Sequence, residues 1–142
     1  MSAARQQAFI DAPVEVVWGL LEDVERHPEW WPRVVEVECE GIKAGCTYRE
    51  VVQTPLGRDA MLLRVDRLED CKDLLIRCVN TGTYVHMQLT EAQDGTFVDA
   101  TFGMEPDRLR YRIFDAVAGA RYFRSWLRQS IEAMQRVAAS RA

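Results

Sequence analysis

From Val35 to Met104 apolar side chains recur at every second position in short runs, and on both sides of that stretch they recur at steps of three or four. The first period belongs to strands with one buried face, the second to helices with one buried stripe. Gln7–Asp11 reads as a short opening strand centred on Phe9 and Ile10. Asp11-Ala12-Pro13 ends it, Asp11 suiting a helix cap and Pro13 the first helical turn. Val14, Val17, Trp18, Leu21 and Val24 then line one helical face, with Trp18 in the core, and a shorter helical piece from about Glu25, bounded by Pro28 and Pro32, carries Trp30 and Trp31. Val35, Val37 and Cys39 alternate with Glu36, Glu38 and Glu40, a half-buried strand with an acidic outer face. Further strands are predicted at Thr47–Gln53, Asp59–Leu68, Leu74–Asn80, Thr83–Ala92 and Thr96–Met104. Their connections are the loop Thr54-Pro55-Leu56-Gly57-Arg58, an acidic break after Leu68, Thr81-Gly82, and the Asp94-Gly95 turn. In Asp59–Leu68 the sets Met61/Leu63/Val65 and Leu62/Arg64/Leu68 compete for the inner face, which predicts a bulge.

Glu105-Pro106-Asp107 closes the sheet and caps a long helix whose stripe is Leu109, Ile113, Ala116, Ala120, Phe123, Leu127, Ile131, Met134 and Ala138. At 1.5 Å per residue it would run about 45–50 Å, with a bend or break expected at Gly119. Six strands in succession make an antiparallel sheet that twists and curls, and this helix is the only element large enough to cover its apolar face. The order strand, two helices, six strands, helix therefore predicts one α+β domain, residues 1–142. The small Ala116 and Ala120 beside the large Phe123 and Leu127 suggest a hollow between helix and sheet.

Charge and composition narrow the functions. The 142 residues carry a net charge of −4, which argues against a general nucleic-acid binder. The last 36 hold eight arginines against three acidic residues, a net +5, leaving −9 on the first 106. Arg110, Arg121, Arg124 and Arg128 share one helical face, which suits either solvent or an anionic membrane surface or acidic partner. No run is long and apolar enough to span a membrane, and Met1 to Gln7 lacks the form of a secretory signal. Cys39, Cys46, Cys71 and Cys78 form no Cys-x-x-Cys pair and read as thiols of a cytoplasmic protein. With only His27 and His86 present, neither a metal site nor another cofactor is expected.

Phe9-Ile10-Asp11-Ala12-Pro13, Val17-Trp18, Asp23, Pro28, Trp31-Pro32 and the glutamate-rich strand after them resemble the opening of the START-like superfamily, which includes polyketide cyclases, START domains and the birch-pollen allergens. Arg64-Val65 with Leu68 before an acidic turn, and the amphipathic last helix, continue the likeness over nearly the whole chain. The resemblance implies the helix-grip fold, a curved antiparallel sheet of about seven strands wrapped around a long C-terminal helix. It also implies a hydrophobic or amphipathic small-molecule ligand, such as a lipid or polyketide.

The candidate ligand contacts are the polar strand residues Tyr48, Glu50, Arg64, Arg77, Tyr84 and His86, together with Phe102, Ala116, Ala120, Phe123 and Leu127. Trp30 and Trp31 would stand near the mouth, one packed inward and one lining or gating it, with Leu56 at the loop tip as a second gate. For the polar strand residues two placements stay open. Facing inward, they would orient a ligand's oxygen atoms; facing outward, they would form cross-strand pairs in solvent. Tyr111, Tyr122 and Trp126 lie off the main helical stripe, where a homodimer contact and packing beneath the first helices are equally open. Two rivals stand beside simple binding (transport or sequestration). One is a cofactor-free enzyme resembling bacterial aromatase/cyclases, with His86 as proton shuttle among Arg77, Tyr84 and Arg64. The other is a quinone-handling or chaperone-like module, and monomer and homodimer are both open.

Overall fold

The computed structural model describes residues 2–106 and 108–141, and of Arg110 the backbone alone; the expected cap at Asp107 and the side chain of Arg110 lie outside the described residues. Seven antiparallel strands form one sheet in the order β1-β7-β6-β5-β4-β3-β2: β1 (Ser2–Ile10), β2 (Val34–Glu38), β3 (Thr47–Thr54), β4 (Gly57–Glu69), β5 (Asp73–Cys78), β6 (Thr83–Ala92) and β7 (Gly95–Met104). Two α-helical stretches joined by a π-helical turn follow: α2 (Leu109–Phe114), Asp115–Gly119, and α3 (Ala120–Arg141). Helix α1 (Val14–Glu22) and a 3₁₀ turn (Val24–Glu29) link β1 to β2. This is the helix-grip architecture of the α+β class.

β1 begins five residues earlier than its sequence suggests, because it pairs with β7 along its whole length, from Ser2 opposite Met104 to Ile10 opposite Thr96. That pairing outweighs the weak alternation of Ser2–Gln6. Asp11 is exposed and caps nothing; the carbonyl of Pro13 instead accepts from the Val16 and Val17 N–H groups. Helix α1 buries Val14, Val17, Trp18, Leu20 and Leu21, each worth on the order of 1.5–3 kcal/mol for the larger side chains. The β3–β4 connection is tighter than predicted. Thr54 pairs with Gly57, leaving a two-residue turn, Pro55-Leu56, and Gly57 takes φ +117°, a backbone state that favours glycine.

The expected bulge in β4 falls between Val65 and Arg67. It allows Leu63 and Val65 to face the core before it and partly buried Leu68 to pack there after it. A second bulge, between Val34 and Glu36, changes the reading of β2. Val34 is the buried residue, and Val35, Val37 and Cys39 are half-buried. Val98, Ala100, Phe102 and Met104 of β7 are all buried, as their alternation predicts.

The long helix departs furthest from the pattern. Phe123, Leu127, Ile131, Met134 and Ala138 are buried as expected, but Leu109 and Ile113 are 73% and 56% exposed, and Ala116 and Ala120 are exposed too. The π-helical turn is the cause. It takes up one residue more than an α-turn would, so the stripe that is inward after Gly119 is turned outward before it. Tyr111, Phe114 and Ala118 before that point, and Tyr122 just after it, turn toward the sheet instead. Gly119 sits where the helix meets the start of β1; a Cβ there would lie 2.6 Å from Asp115 Oδ1 and 2.9 Å from Ser2 Oγ, so glycine lets the two approach.

Candidate functional site

The concave face of β3 and β4 is not fully covered by α3. Successive inward residues of β3 are Tyr48, Glu50, Val52 and Thr54, and facing them on β4 are Leu63, Met61 and Asp59. Toward the β3–β4 hairpin this trough opens into a cavity of about 290 Å³, close to the lower end of small-molecule sites (about 300–1,000 Å³). Val52, Thr54, Asp59 and Met61 form its floor with Thr81, Thr83 and Met104, and Tyr111, Phe114, Tyr122, Phe123 and Trp126 form its roof. Pro55 and Leu56 make the rim. Leu56 is 90% exposed. The hollow foreseen beside Ala116 and Ala120 is thus displaced: those alanines lie on an outer groove with Arg112, Arg121 and Arg124.

Deeper along the trough lies a second chamber of about 30 Å³, lined by His27, Trp31, Val34, Tyr48, Glu50, Leu63, Ile76, Val85 and Trp126. Trp126 is common to both chambers. Its indole N–H donates to the Pro32 carbonyl at 2.7 Å, and its ring meets Phe102 edge-on at 4.8 Å. Trp31 donates to Ser130 Oγ at 2.9 Å, and Ser130 in turn donates to the Trp126 carbonyl. Trp30 stacks on Trp31 at 5.1 Å. Both tryptophans are buried, so neither gates the mouth: the 3₁₀ turn that carries them tucks into the core rather than standing at the rim.

Three buried titratable groups, His27, Glu50 and Tyr48, face the deep chamber. His27 is 1% exposed; its Nε2 lies 2.9 Å from the Leu21 carbonyl, to which the neutral ring donates, and burial lowers its pKa to about 4. Glu50 is 7% exposed and has no hydrogen-bond partner among the described residues. Burial alone pushes its pKa up to about 8, so at neutral pH it is mainly a protonated acid. Burial also holds the neighbouring Tyr48 phenol well above its ordinary value.

The remaining candidates lie elsewhere. Arg64, Arg77, Tyr84 and His86 project from the convex face, because β5 and β6 turn Leu74, Ile76 and Cys78 and Val85, Met87 and Leu89 inward. There Arg64 and Arg77 both bond Asp66, His86 Nε2 lies 2.7 Å from Asp73, and Arg77 sits over the Tyr84 ring at 5.2 Å. These pairs, cross-strand except for Arg64–Asp66 within β4, lie on the far side of the sheet from the cavity. Phe102 and Leu127 are core residues beneath Trp126 and in α3, and only Phe123 of the predicted helical set touches the main cavity. Of the cavity lining only Leu56 and Phe123 were among the expected contacts; Val52, Thr83, Tyr111, Phe114, Tyr122 and Trp126 are among those the sequence did not single out. The shared period of Tyr111, Phe114, Ala118 and Tyr122 was the signal that could have found them.

Arg33, held at φ +74°, reaches over the mouth from the start of β2. Its guanidinium lies 4.7 Å from the Tyr122 ring centre and donates to Ser125 Oγ at 3.4 Å. On the outer face of α2 and the π-helical turn, Leu109, Ile113 and Val117 (81% exposed) recur at steps of four, with exposed Arg108, Arg112 and Arg121 around them. No helix among the described residues is long and apolar enough to cross a membrane.

Residues 1–139 match the family model described as "Polyketide cyclase / dehydrase and lipid transport". No functionally curated protein matches the sequence. Among solved structures, a START superfamily protein from Mycobacterium smegmatis superposes with a TM-score of 0.81 at 11% identity, covering 100% of both chains. A protein from Thermus thermophilus gives 0.78 at 14% identity, over 99% of each. A protein of the dynemicin biosynthetic locus gives 0.66 at 18%, covering 96% of this chain and 46% of that one. At these identities the likeness is one of fold.

Proposed function

The chain belongs to the polyketide cyclase/dehydrase and lipid transport family, and from that premise we propose that it binds an apolar or amphipathic small molecule, such as a lipid or polyketide, in the cavity between the β3–β4 trough and the α2–α3 roof. The observation that carries this reading is the cavity itself. It is walled mainly by Val52, Met61, Met104, Phe114, Phe123 and Trp126, with Thr54, Thr81, Thr83, Tyr111 and Tyr122 supplying a few hydroxyls, the mixture that orients an apolar ligand. A cyclase working through His86, Arg77, Tyr84 and Arg64 finds no support, since those side chains face away from the cavity. Native mass spectrometry of the protein isolated from its own host should reveal a bound apolar molecule. The substitution Val52→Phe, which fills the floor at a cost of about 1–3 kcal/mol in stability, should abolish its retention. A bare protein mass, or a ligand retained unchanged by the filled variant, would sink the reading.

The ligand is exchanged at an anionic membrane surface. Leu56 gives the rim of the mouth an exposed apolar side chain, the row Leu109, Ile113 and Val117 adds an exposed apolar strip on the outer face of the helical stretch that roofs the cavity, and the surrounding arginines match the charge of acidic headgroups. The protein acts in the cytoplasm, for which its four free thiols are suited. Co-sedimentation with phosphatidylcholine vesicles containing phosphatidylglycerol should capture the protein, and pure phosphatidylcholine should capture several-fold less. Arg112→Glu with Arg121→Glu should remove the difference. Should the apolar row instead mediate pairing of two copies, the double variant would leave vesicle binding unmoved and Ile113→Ser would change the sedimentation coefficient.

A further inference from the structure

The polar atoms of the deep chamber are spent on the protein itself, with two exceptions. Trp31 donates to Ser130, Trp126 to Pro32 and His27 to Leu21. Glu50, more than nine-tenths buried, has no partner among the described residues, and no hydrogen bond of the Tyr48 hydroxyl is found there either. These polar atoms open onto the chamber and are free to bond what enters it, and groups in so dry a site are nearly always paired when it is filled. The chamber, about 30 Å³, has room for about one water molecule or one ligand atom group. It adjoins the main cavity directly: Glu50 and Val52 are neighbours on one face of β3, Leu63 and Met61 on β4, and Trp126 borders both.

Resting on the ligand-binding reading above, we propose that the ligand's inner end carries an uncharged oxygen acceptor, of the ketone, quinone or ester class, which takes hydrogen bonds from the Glu50 carboxyl and the Tyr48 hydroxyl. Ligands ending in a carboxylate are excluded from this position. Among the described residues no cation acts on Glu50, whose shift has burial as its one cause: the 3₁₀ turn presents the neutral His27 and β3 presents Tyr48, and the further groups acting on Tyr48 are the thiols of Cys39 and Cys46. A buried anion would have nothing to balance it, and it would face an acid that would itself lose a proton only at the expense of a second buried charge. A carbonyl oxygen, with two lone pairs, accepts from both donors without creating charge.

A matched set of probes tests this: 2-acetylnaphthalene, 2-ethylnaphthalene and 2-naphthoate, titrated against the intact protein at pH 6.5. The ketone should bind at least tenfold more tightly than either of the others. Its affinity should fall several-fold between pH 6.5 and 9.5 as Glu50 loses its proton, whereas Glu50→Gln, which retains a donor, should bind the ketone with no such decline. Glu50→Leu should bring the ketone down to the level of 2-ethylnaphthalene without weakening the latter. Equal binding of ketone and hydrocarbon, or tighter binding of the carboxylate, overturns the proposal while leaving the cavity reading intact. If none of the three binds, the cavity reading fails first and the assignment of Glu50 falls with it. The wild-type comparison stands even where a Glu50 variant does not fold.

Discussion

Replacing Trp126 by alanine should destabilise the protein by about 3–5 kcal/mol, the range for truncating a large buried aromatic side chain. The ring is 6% exposed and touches Phe102, Trp31 and Tyr122. Its indole also satisfies the Pro32 carbonyl at the point where the chain leaves the 3₁₀ turn for β2; losing that donor adds to the cost of the lost packing. Denaturant unfolding followed by circular dichroism would give the value directly, and the melting temperature should drop by on the order of 10–20 °C. The same substitution should enlarge the ligand space, because Trp126 is the side chain common to the two chambers. A bulkier apolar probe than the wild type accepts should therefore bind the folded variant. Trp126→Phe, which keeps most of the ring contacts, should lose less than half as much stability. A loss below about 1 kcal/mol for the alanine variant would mean that α3 and the 3₁₀ turn are joined by other contacts, and that Trp126 does not divide the trough.

Periodicity in the sequence revealed the architecture because each strand with a clean alternation has one face in the core and one in water. Val98, Ala100, Phe102 and Met104 are the clearest instance, and six strands in succession, even where their parity is ambiguous, leave few alternatives to a curled antiparallel sheet. The site was less visible for two separate reasons. Where a strand is apolar on one face and carries long polar side chains on the other, as with Arg77 and His86, pattern alone does not say whether those side chains line a ligand or meet solvent. Hydrogen-bonded pairing with β4 and β7 decides it, and it places them outside. The helix failed differently. Its residues at steps of three and four were read as one continuous stripe, but the five-residue π-turn at Asp115–Gly119 shifts the phase by one position. That shift exchanges Ala116 and Ala120 for Phe114 and Tyr122 at the roof of the cavity. Gly119 marked the irregularity in the sequence; it did not say which way the helix would turn. Glu50 was legible as a polar residue sharing a face with Tyr48 and Val52, and the structure adds that this face is the inner one.

The protein should be most stable in mildly acidic solution and should weaken on both sides, for reasons that lie in one chamber. His27 has its pKa lowered, chiefly by burial, from 6.5 to about 4. Between those values the unfolded chain binds more protons than the folded one, so stability falls as pH drops from about 6.5 to 4, by up to about 3 kcal/mol. Glu50 runs the opposite way. Burial raises its pKa from 4.5 to about 8, the folded chain holds the extra proton, and stability falls as pH rises through that interval, by up to about 5 kcal/mol. Between about pH 4.5 and 6.5 the two trends oppose each other; above 6.5 only the Glu50 loss continues, until about pH 8. Unfolding free energies measured at intervals from pH 4 to 9 should therefore pass through a broad maximum near pH 5–6 and decline toward pH 8. Glu50→Gln removes the ionisable group but keeps its shape and a donor, so its stability should hold level from pH 6.5 to 8 while the wild type declines. At pH 4.5, where wild-type Glu50 is protonated in the fold, the two proteins should differ by less than about 1 kcal/mol. The separate variant His27→Gln should flatten the acid side alone. If Glu50→Gln instead followed the wild-type decline above pH 6.5, the carboxyl would be ionised in the folded protein, and the deep chamber would have to hold water or a counter-ion rather than the uncharged end of a ligand.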